Sequence, residues 1–269
     1  MRKKIPFFGR KSINGARVQV QVYSATDIGL RRANNEDRCV SLEGKDSPGF
    51  ADAVMIVADG MGGQAHGEVA SEMAVEGIIR RLADQPKDKT LPTGGYAELL
   101  GQVFREVNTE IYLESQGDTY RGMGTTATAA VVTGTRVHIA HLGDSRAYLL
   151  RDGELSQLTR DHSWVAENVE AGNLTLEQAR VHPNRNVITQ AMGINAEPAV
   201  QTKTLDLRDG DLLLLCSDGL HGLAGDDEIK ELLQSGKPEQ AIEDLIQRAK
   251  DLGGNDNITV VIGTVRRQG

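Results

Sequence analysis

The chain has 269 residues, 39% of them hydrophobic, enough for a sizeable core in one large domain or two small ones. Its net charge of −8 argues against nucleic acid as the main partner. Two cysteines, Cys39 and Cys216, make no disulfide framework and point to a reducing, cytoplasmic setting, each read as a buried apolar thiol.

The start, "MRKKIPFFGRKS", lacks the apolar stretch of a signal peptide, and its basic residues stand without an acid. Residues 1–16 are read as a solvated basic tail; a weak anchor to an acidic partner or lipid surface, with Phe7 and Phe8 inserting, is the sharper alternative. No apolar run is long enough to span a membrane. Strand-like runs are expected at about 17–26, 37–42 and 53–59, then helices at about 65–84 and 95–116. Further strands follow at about 124–133, 136–142, 145–151 and 154–159, with "RDGE" at 151–154 as a type I′ hairpin turn. Strands near 199–207 and 211–217 are expected to join through a second such turn, "RDGD". Helices at about 226–235 and 238–252 precede a last strand, "NITVVIGTV". The polar stretch from about 162 to 190 reads as an inserted helical flap, with Trp164 as its packing anchor and His162 as a hydrogen-bonder at its base. Runs of strands followed by pairs of helices predict an α+β architecture with mostly antiparallel sheet.

In "VMIVADGMGGQAHGEVAS", Gly60, Gly62 and Ala65 match the glycine fingerprint of dinucleotide binding. Asp59 speaks against that reading, because a carboxylate beside the first glycine repels a pyrophosphate unless a cation lies between. No acid follows at the expected distance, and the same fingerprint recurs in "GMGTTA". Asp218 in "LLLLCSDGL" follows an apolar strand in the same way. Glu36 and Asp37 stand at a strand start, Asp256 at the start of the last strand, and Asp144 at another strand boundary. Any single Asp-Gly is more often a turn or a helix cap, and Asp152 and Asp209 are read as turns. Several carboxylates at strand ends can share a site only with cations between them. Hard oxygen donors without a histidine or thiolate cluster select Mg²⁺ or Mn²⁺. Asp37, Asp59, Asp218 and Asp256 balance two divalent ions, and Arg32 leaves the site positive, suited to a phosphate dianion. The implied chemistry is two-metal hydrolysis, with a hydroxide attacking phosphorus in line. Spacing alone leaves this open against a set of unconnected surface acids.

The motifs "TDIGLRRANNED", "VADGMGGQAHGEVAS", "GMGTTATAAVV", "LGDSRAYLLRDGEL", "LTRDHSWV", "HPNRNVITQAMG", "LLLLCSDGL" and "GGNDNITVVI" fall in an order that resembles the metal-dependent protein phosphatases of the 2C type. The form "DGMGG" resembles bacterial members. The resemblance covers nearly everything after residue 23 and implies a catalytic domain over 17–266. It implies a four-layer α-β-β-α sandwich of two antiparallel sheets flanked by helix pairs, and hydrolysis of phosphoserine and phosphothreonine in proteins, opposing a cognate Ser/Thr kinase, by a monomer. Carried over by position, Asp59 bridges two metals and Gly60 gives one of them a carbonyl oxygen. Asp37 serves one metal, Asp218 and Asp256 the other, Arg32 grips the phosphate, and Asp144 helps bind a third, weaker ion. Two departures stand out. Eukaryotic members carry a histidine, proposed as general acid, where this chain has Met61. Bacterial members often have one where this chain has Gln64, with His66 two residues on. His66 is the candidate proton donor; the simpler reading, preferred here, is that it starts the helix and water protonates the leaving group.

A cysteine phosphatase needs C-x₅-R, but Lys45 and Gly222 stand at those positions, and there is no G-x-S-x-G serine motif. A catalytically dead scaffold is the alternative from another class; the retained aspartates and Arg32 argue against it. A regulator acting on an anti-sigma-type partner, still by dephosphorylation, differs only in substrate. The flap is expected to serve substrate choice rather than chemistry.

Overall fold

A computed structural model describes residues 18–61, 66–85 and 95–267. The basic tail and the glycine-rich turn holding Gly62, Gln64 and Ala65 lie outside the described residues. In chain order the elements are β1 (Val18–Asp27), β2 (Asp37–Glu43), β3 (Ala53–Met61), α1 (Gly67–Ala83), α2 (Gly95–Ser115), β4 (Gly124–Thr125), β5 (Ala127–Thr133), β6 (Arg136–Leu142), β7 (Arg146–Arg151) and β8 (Glu154–Gln157). There follow α3 (Trp164–Glu170), α4 (Leu176–Val181), β9 (Gln201–Asp206), β10 (Leu212–Cys216), α5 (Asp218–His221), α6 (Asp226–Gln234), α7 (Pro238–Asp251) and β11 (Ile258–Arg267).

Among the described residues these strands form two antiparallel sheets, ordered β1-β11-β10-β7-β8 and β2-β3-β5-β6-β9, with β4 paired to β3. Alternation along β3 explains the layering. Val54, Ile56 and Ala58 face α1 and α2, packing with Ile78, Leu82, Phe104 and Val107. Ala53, Met55 and Val57 face the other sheet, meeting Leu213, Leu215 and Val261. On the far side Leu214, Cys216, Val260 and Ile262 pack on Ile229 and Leu245 of α6 and α7. Both faces of the central strands are therefore buried, so "AVMIVA" and "LLLLC" read as continuous apolar runs rather than alternating ones. The result is the four-layer α-β-β-α sandwich, and Cys39 and Cys216 are both free thiols, half-buried and buried. No helix of the described residues is long and apolar enough to cross a membrane.

Two expectations need correction. The run 124–133 is not one strand: it breaks at Thr126, whose N–H donates to the Asp59 carbonyl at 2.9 Å, so that β4 pairs with β3 and β5 continues separately. The turn at 208–211 is a real turn, with Gly210 at φ 84° and the Asp211 N–H donating to the Arg208 carbonyl, but it is not a hairpin. β9 pairs with β6, while β10 pairs with β7 and β11 in the other sheet. The buried Asp211 carboxylate holds this crossover, accepting from the Arg208 N–H at 2.7 Å and from Arg151 at 2.8 and 2.6 Å. By contrast Asp152 (φ 53°) and Gly153 (φ 83°) have the two left-handed conformations of a type I′ hairpin.

In the stretch 162–190, Ser163 caps α3 and a capping box on Thr175 and Gln178 starts α4. Trp164 stacks on His182 at 4.7 Å. His162 ties this stretch to the sheet end: its Nδ1 accepts from the Gly143 N–H at 3.1 Å, and its own N–H donates to the Gly143 carbonyl.

Candidate metal centre

The acidic residues gather at one edge of the sandwich because each closes or opens a strand there. Asp37, the first residue of β2, lies opposite Asp59 in β3. Asp218 follows β10 through Ser217, and Asp256 shortly precedes β11. Antiparallel pairing of β1 with β11, Asp27 opposite Ile258, brings the loop holding Arg32 beside Asp256. There the Arg32 guanidinium donates to Asp256 Oδ2 at 2.6 Å. Asn257 clamps that loop: its amide N–H₂ donates to the carbonyls of Ile28 and Asn34, and its Oδ1 accepts from the Glu36 N–H at 2.8 Å.

Close packing sets the backbone. A Cβ on Gly60 would lie 2.2 Å from the Gly67 carbonyl oxygen and 2.7 Å from that of Glu36. Only glycine lets β3 run between the N-terminus of α1 and the 36–37 loop. Gly219 is equally constrained, its would-be Cβ falling 1.9 Å from the Asn257 carbonyl oxygen. Asp59 is fixed at both backbone groups: its N–H donates to Thr126 Oγ1 at 3.0 Å and its carbonyl accepts from Thr125 Oγ1 at 2.9 Å. Under Asp144, His221 Nε2 donates to the Asp144 carbonyl at 3.0 Å.

The electrostatics show what this clustering costs. Burial, aided by the charges of Asp218 and Asp256, pushes Asp37 up to about 7 against the hydroxyls of Thr259 and Ser217. Burial and Asp256 push Asp218 up to about 6. Asp59 is held well above the usual carboxylate range by burial and then by Asp37, Asp218, Asp144 and Asp256. Burial and Asp218 act on Asp144 in the same direction. Three carboxylate oxygens, Asp37 Oδ1, Asp144 Oδ1 and Asp218 Oδ1, are enclosed without any hydrogen-bond partner. A buried carboxylate oxygen left unpaired is costly unless a cation meets it.

Among the described residues no group of three or more Asp, Glu, His or Cys side chains is gathered closely enough to hold a metal ion by itself. A strongly hydrated cation such as Mg²⁺ does not need one: it keeps several waters and takes one or two carboxylates. The donor set is all oxygen, which fits Mg²⁺ or Mn²⁺. His66 stands apart in character. It precedes α1 in a left-handed conformation (φ 61°), with Nδ1 3.6 Å from Glu68 Oε1 and its ring edge-on to Tyr120.

Sequence reasoning singled out the aspartates and Arg32 but missed the groups that hold them: Thr26, Thr126, Ser217, His221, Asn257 and Thr259. For two of them the available signal was adjacency, since Ser217 stands beside Asp218 and Asn257 beside Asp256.

An edge of a layered α+β sandwich lined by buried, unpartnered carboxylate oxygens defines a binder of hard divalent cations. The profile of the protein phosphatase 2C family matches residues 31–258. Serine/threonine phosphatase stp of Listeria monocytogenes is 43% identical over 242 residues, covering 88% of this chain and 92% of that protein. Serine/threonine protein phosphatase PstP of Mycobacterium tuberculosis is 41% identical over 89% of this chain and 44% of its own length. The serine/threonine phosphatase of S. agalactiae superposes with a TM-score of 0.81 at 38% identity, covering 91% of this chain and 99% of that one. The catalytic domain of PstP in complex with two manganese ions superposes at 0.76, with 36% identity, covering 93% and 99%. This chain belongs to the protein phosphatase 2C family.

Proposed function

We propose that this protein is a Mn²⁺- or Mg²⁺-dependent phosphatase that removes phosphate from serine and threonine side chains of proteins. The observation that carries the reading is the set of enclosed, unpartnered oxygens on Asp37, Asp144 and Asp218 around the half-buried Asp59. The relatives named serine/threonine phosphatase, and the two manganese ions in one of their structures, support it.

Asp37, Asp59, Asp218 and Asp256, with the Gly60 backbone carbonyl, would hold two ions, Asp37 toward one, Asp218 and Asp256 toward the other, and Asp59 toward both. Asp144 contributes to a third, weaker position. Bound there, the metals would supply activation of a water as nucleophile near neutral pH and compensation of charge on the phosphoryl group. Arg32 swings between Asp256 and the substrate phosphate, which it binds through paired N–H donors. Water protonates the leaving alkoxide, in keeping with a His66 imidazole turned toward Glu68 and Tyr120. The enzyme acts as a cytoplasmic monomer opposing a Ser/Thr kinase; two free cysteines support a reducing compartment. A catalytically dead scaffold is disfavoured, since an unused cluster of buried carboxylates only repels itself.

The test is turnover of p-nitrophenyl phosphate and of phosphoserine, phosphothreonine and phosphotyrosine peptides with and without Mn²⁺. Chelator and Asp218→Asn should each abolish activity, with the serine and threonine peptides preferred. A rate indifferent to metal refutes the reading.

A further inference from the structure

We propose that Thr259 and Ser217, backed by Thr26, are positioning residues that dictate which oxygen of Asp37 is offered to a divalent cation. The inference rests on reading Asp37 as a metal-binding carboxylate.

With the Asp37 carboxyl ionised, as a metal ligand is, the direction of every bond in this network is fixed by chemistry. The Asp37 N–H donates to Asn35 Oδ1 at 3.1 Å, which sets the orientation of the Asn35 amide. Its Nδ2 therefore points to Thr26 Oγ1, 2.9 Å away, and an amide nitrogen only donates. Thr259 Oγ1 lies 2.6 Å from Asp37 Oδ2 and spends its single proton on that oxygen. At the 2.7 Å contact between the two threonine hydroxyls, Thr26 is then the donor. Ser217 is wired in the same sense: its Oγ accepts from the Thr259 N–H at 3.0 Å, and its proton goes to Asp37 Oδ2 at 2.8 Å.

Two hydroxyls thus converge on Oδ2, while Oδ1 of the same carboxylate is enclosed with no donor at all. The asymmetry is what a metal ligand needs. One oxygen is saturated and locks the carboxylate plane; the other keeps its lone pairs for the cation. The choice of hydroxyls also matters. An arginine or lysine would orient the carboxylate equally well but would cancel the charge that attracts the metal, whereas a hydroxyl orients without neutralising. The chain of donors joins β1, β2, the β10–α5 junction and β11, so neither helical periodicity nor strand alternation shows it.

The test is calorimetric titration of the full chain, freed of metal, with Mn²⁺ alone, for the wild type, Thr259→Val, Thr259→Ser, Ser217→Ala and Asp37→Asn. Circular dichroism checks that each variant is folded. Thr259→Val and Ser217→Ala should each weaken one of the two binding events about ten- to hundredfold. The other event should weaken clearly less, because Asp37 faces one ion and only the shared Asp59 passes part of the loss on. Thr259→Ser, which restores the hydroxyl, should recover the lost affinity. Unchanged binding in folded Thr259→Val, or equal weakening of both events, overturns the proposal. If Asp37→Asn weakens binding and Thr259→Val does not, only the positioning role fails; if Asp37→Asn changes neither event, the metal-binding reading of Asp37 fails with it. Should Thr259→Val not fold, Ser217→Ala and Thr26→Val decide by the same criterion.

Discussion

Asp37 and Asp59 sit directly opposite each other on one rung of the β2–β3 ladder. Burial pushes both carboxyls upward: Asp37 to about 7, with the charges of Asp218 and Asp256 adding to it, and Asp59 in the same direction, with the charge of Asp37 adding most. Between about pH 4 and pH 7 the metal-free native state therefore binds more protons than the unfolded chain. These groups make the metal-free protein less stable as pH rises through that window. Mn²⁺ must displace the protons, so its affinity should climb with pH across this window. Calorimetry in buffers of different ionisation heat measures the release directly. A Mn²⁺ affinity that is flat across this range contradicts the assignment.

His138 gives the opposite slope, far from the metals. It is buried between Thr133 and Thr204, its ring nitrogens 2.9 Å from each hydroxyl, and burial pushes it down to about 4. A neutral imidazole in the fold and a protonatable one in the unfolded chain stabilise the protein fully above about pH 6.5. That contribution is lost as pH falls toward 4, at about 1.4 kcal/mol per pH unit. Urea titrations of the wild type and His138→Gln should converge in this window; parallel curves refute the account.

Gly219→Ala should be severely destabilising, because the new methyl overlaps the Asn257 carbonyl 1.9 Å away. Overpacking of this kind costs about 1–3 kcal/mol or more. Here the displaced segment also carries Asp256, so Mn²⁺ binding should fall together with the melting temperature. Gly236→Ala, whose would-be Cβ meets only the Gln240 side chain at 3.8 and 3.9 Å, is the control that should change neither.

Arg32→Ala separates phosphate binding from metal binding. Removing a charged hydrogen-bond partner of the substrate should raise KM for p-nitrophenyl phosphate about tenfold or more. Asp256 loses its competing ion pair, so Mn²⁺ affinity should hold or improve. A loss of metal with KM unchanged gives Arg32 a structural role instead.

Replacing residues 165–180 should change preference among phosphoproteins far more than turnover of p-nitrophenyl phosphate. Leu176, exposed on α4 within that stretch, is available to a large substrate. Equal loss on large and small substrates would count against a role in selection.

Much of this fold is legible because its signals are local. The buried strands announce themselves as apolar runs, and Asp152-Gly153 supplies the conformations of its hairpin. Asp59 and Asp218 stand out because a carboxylate ends a run that should otherwise stay apolar. The crossover at 208–211 is illegible for the opposite reason: its Arg-Asp-Gly-Asp sequence nearly repeats the hairpin's, and what diverts the chain is Asp211 bonding to Arg151, 60 residues away. The break at Thr126 depends on the Asp59 carbonyl, again a distant partner. Ser217, Asn257 and Thr259 escape notice because small polar residues have no period of their own; their meaning lies wholly in what they face.

The first and last strands of the sandwich are each other's neighbours over ten rungs, from Val18 opposite Arg267 to Asp27 opposite Ile258. Asp256, Asn257 and Thr259 all belong to the final segment. A nascent chain still lacking that segment has no partner for β1, no anchor for the Arg32 loop and no second hydroxyl on Asp37. The geometry of this edge therefore depends on residues 256–259, and a chain cut before Asp256 lacks the groups that assemble it.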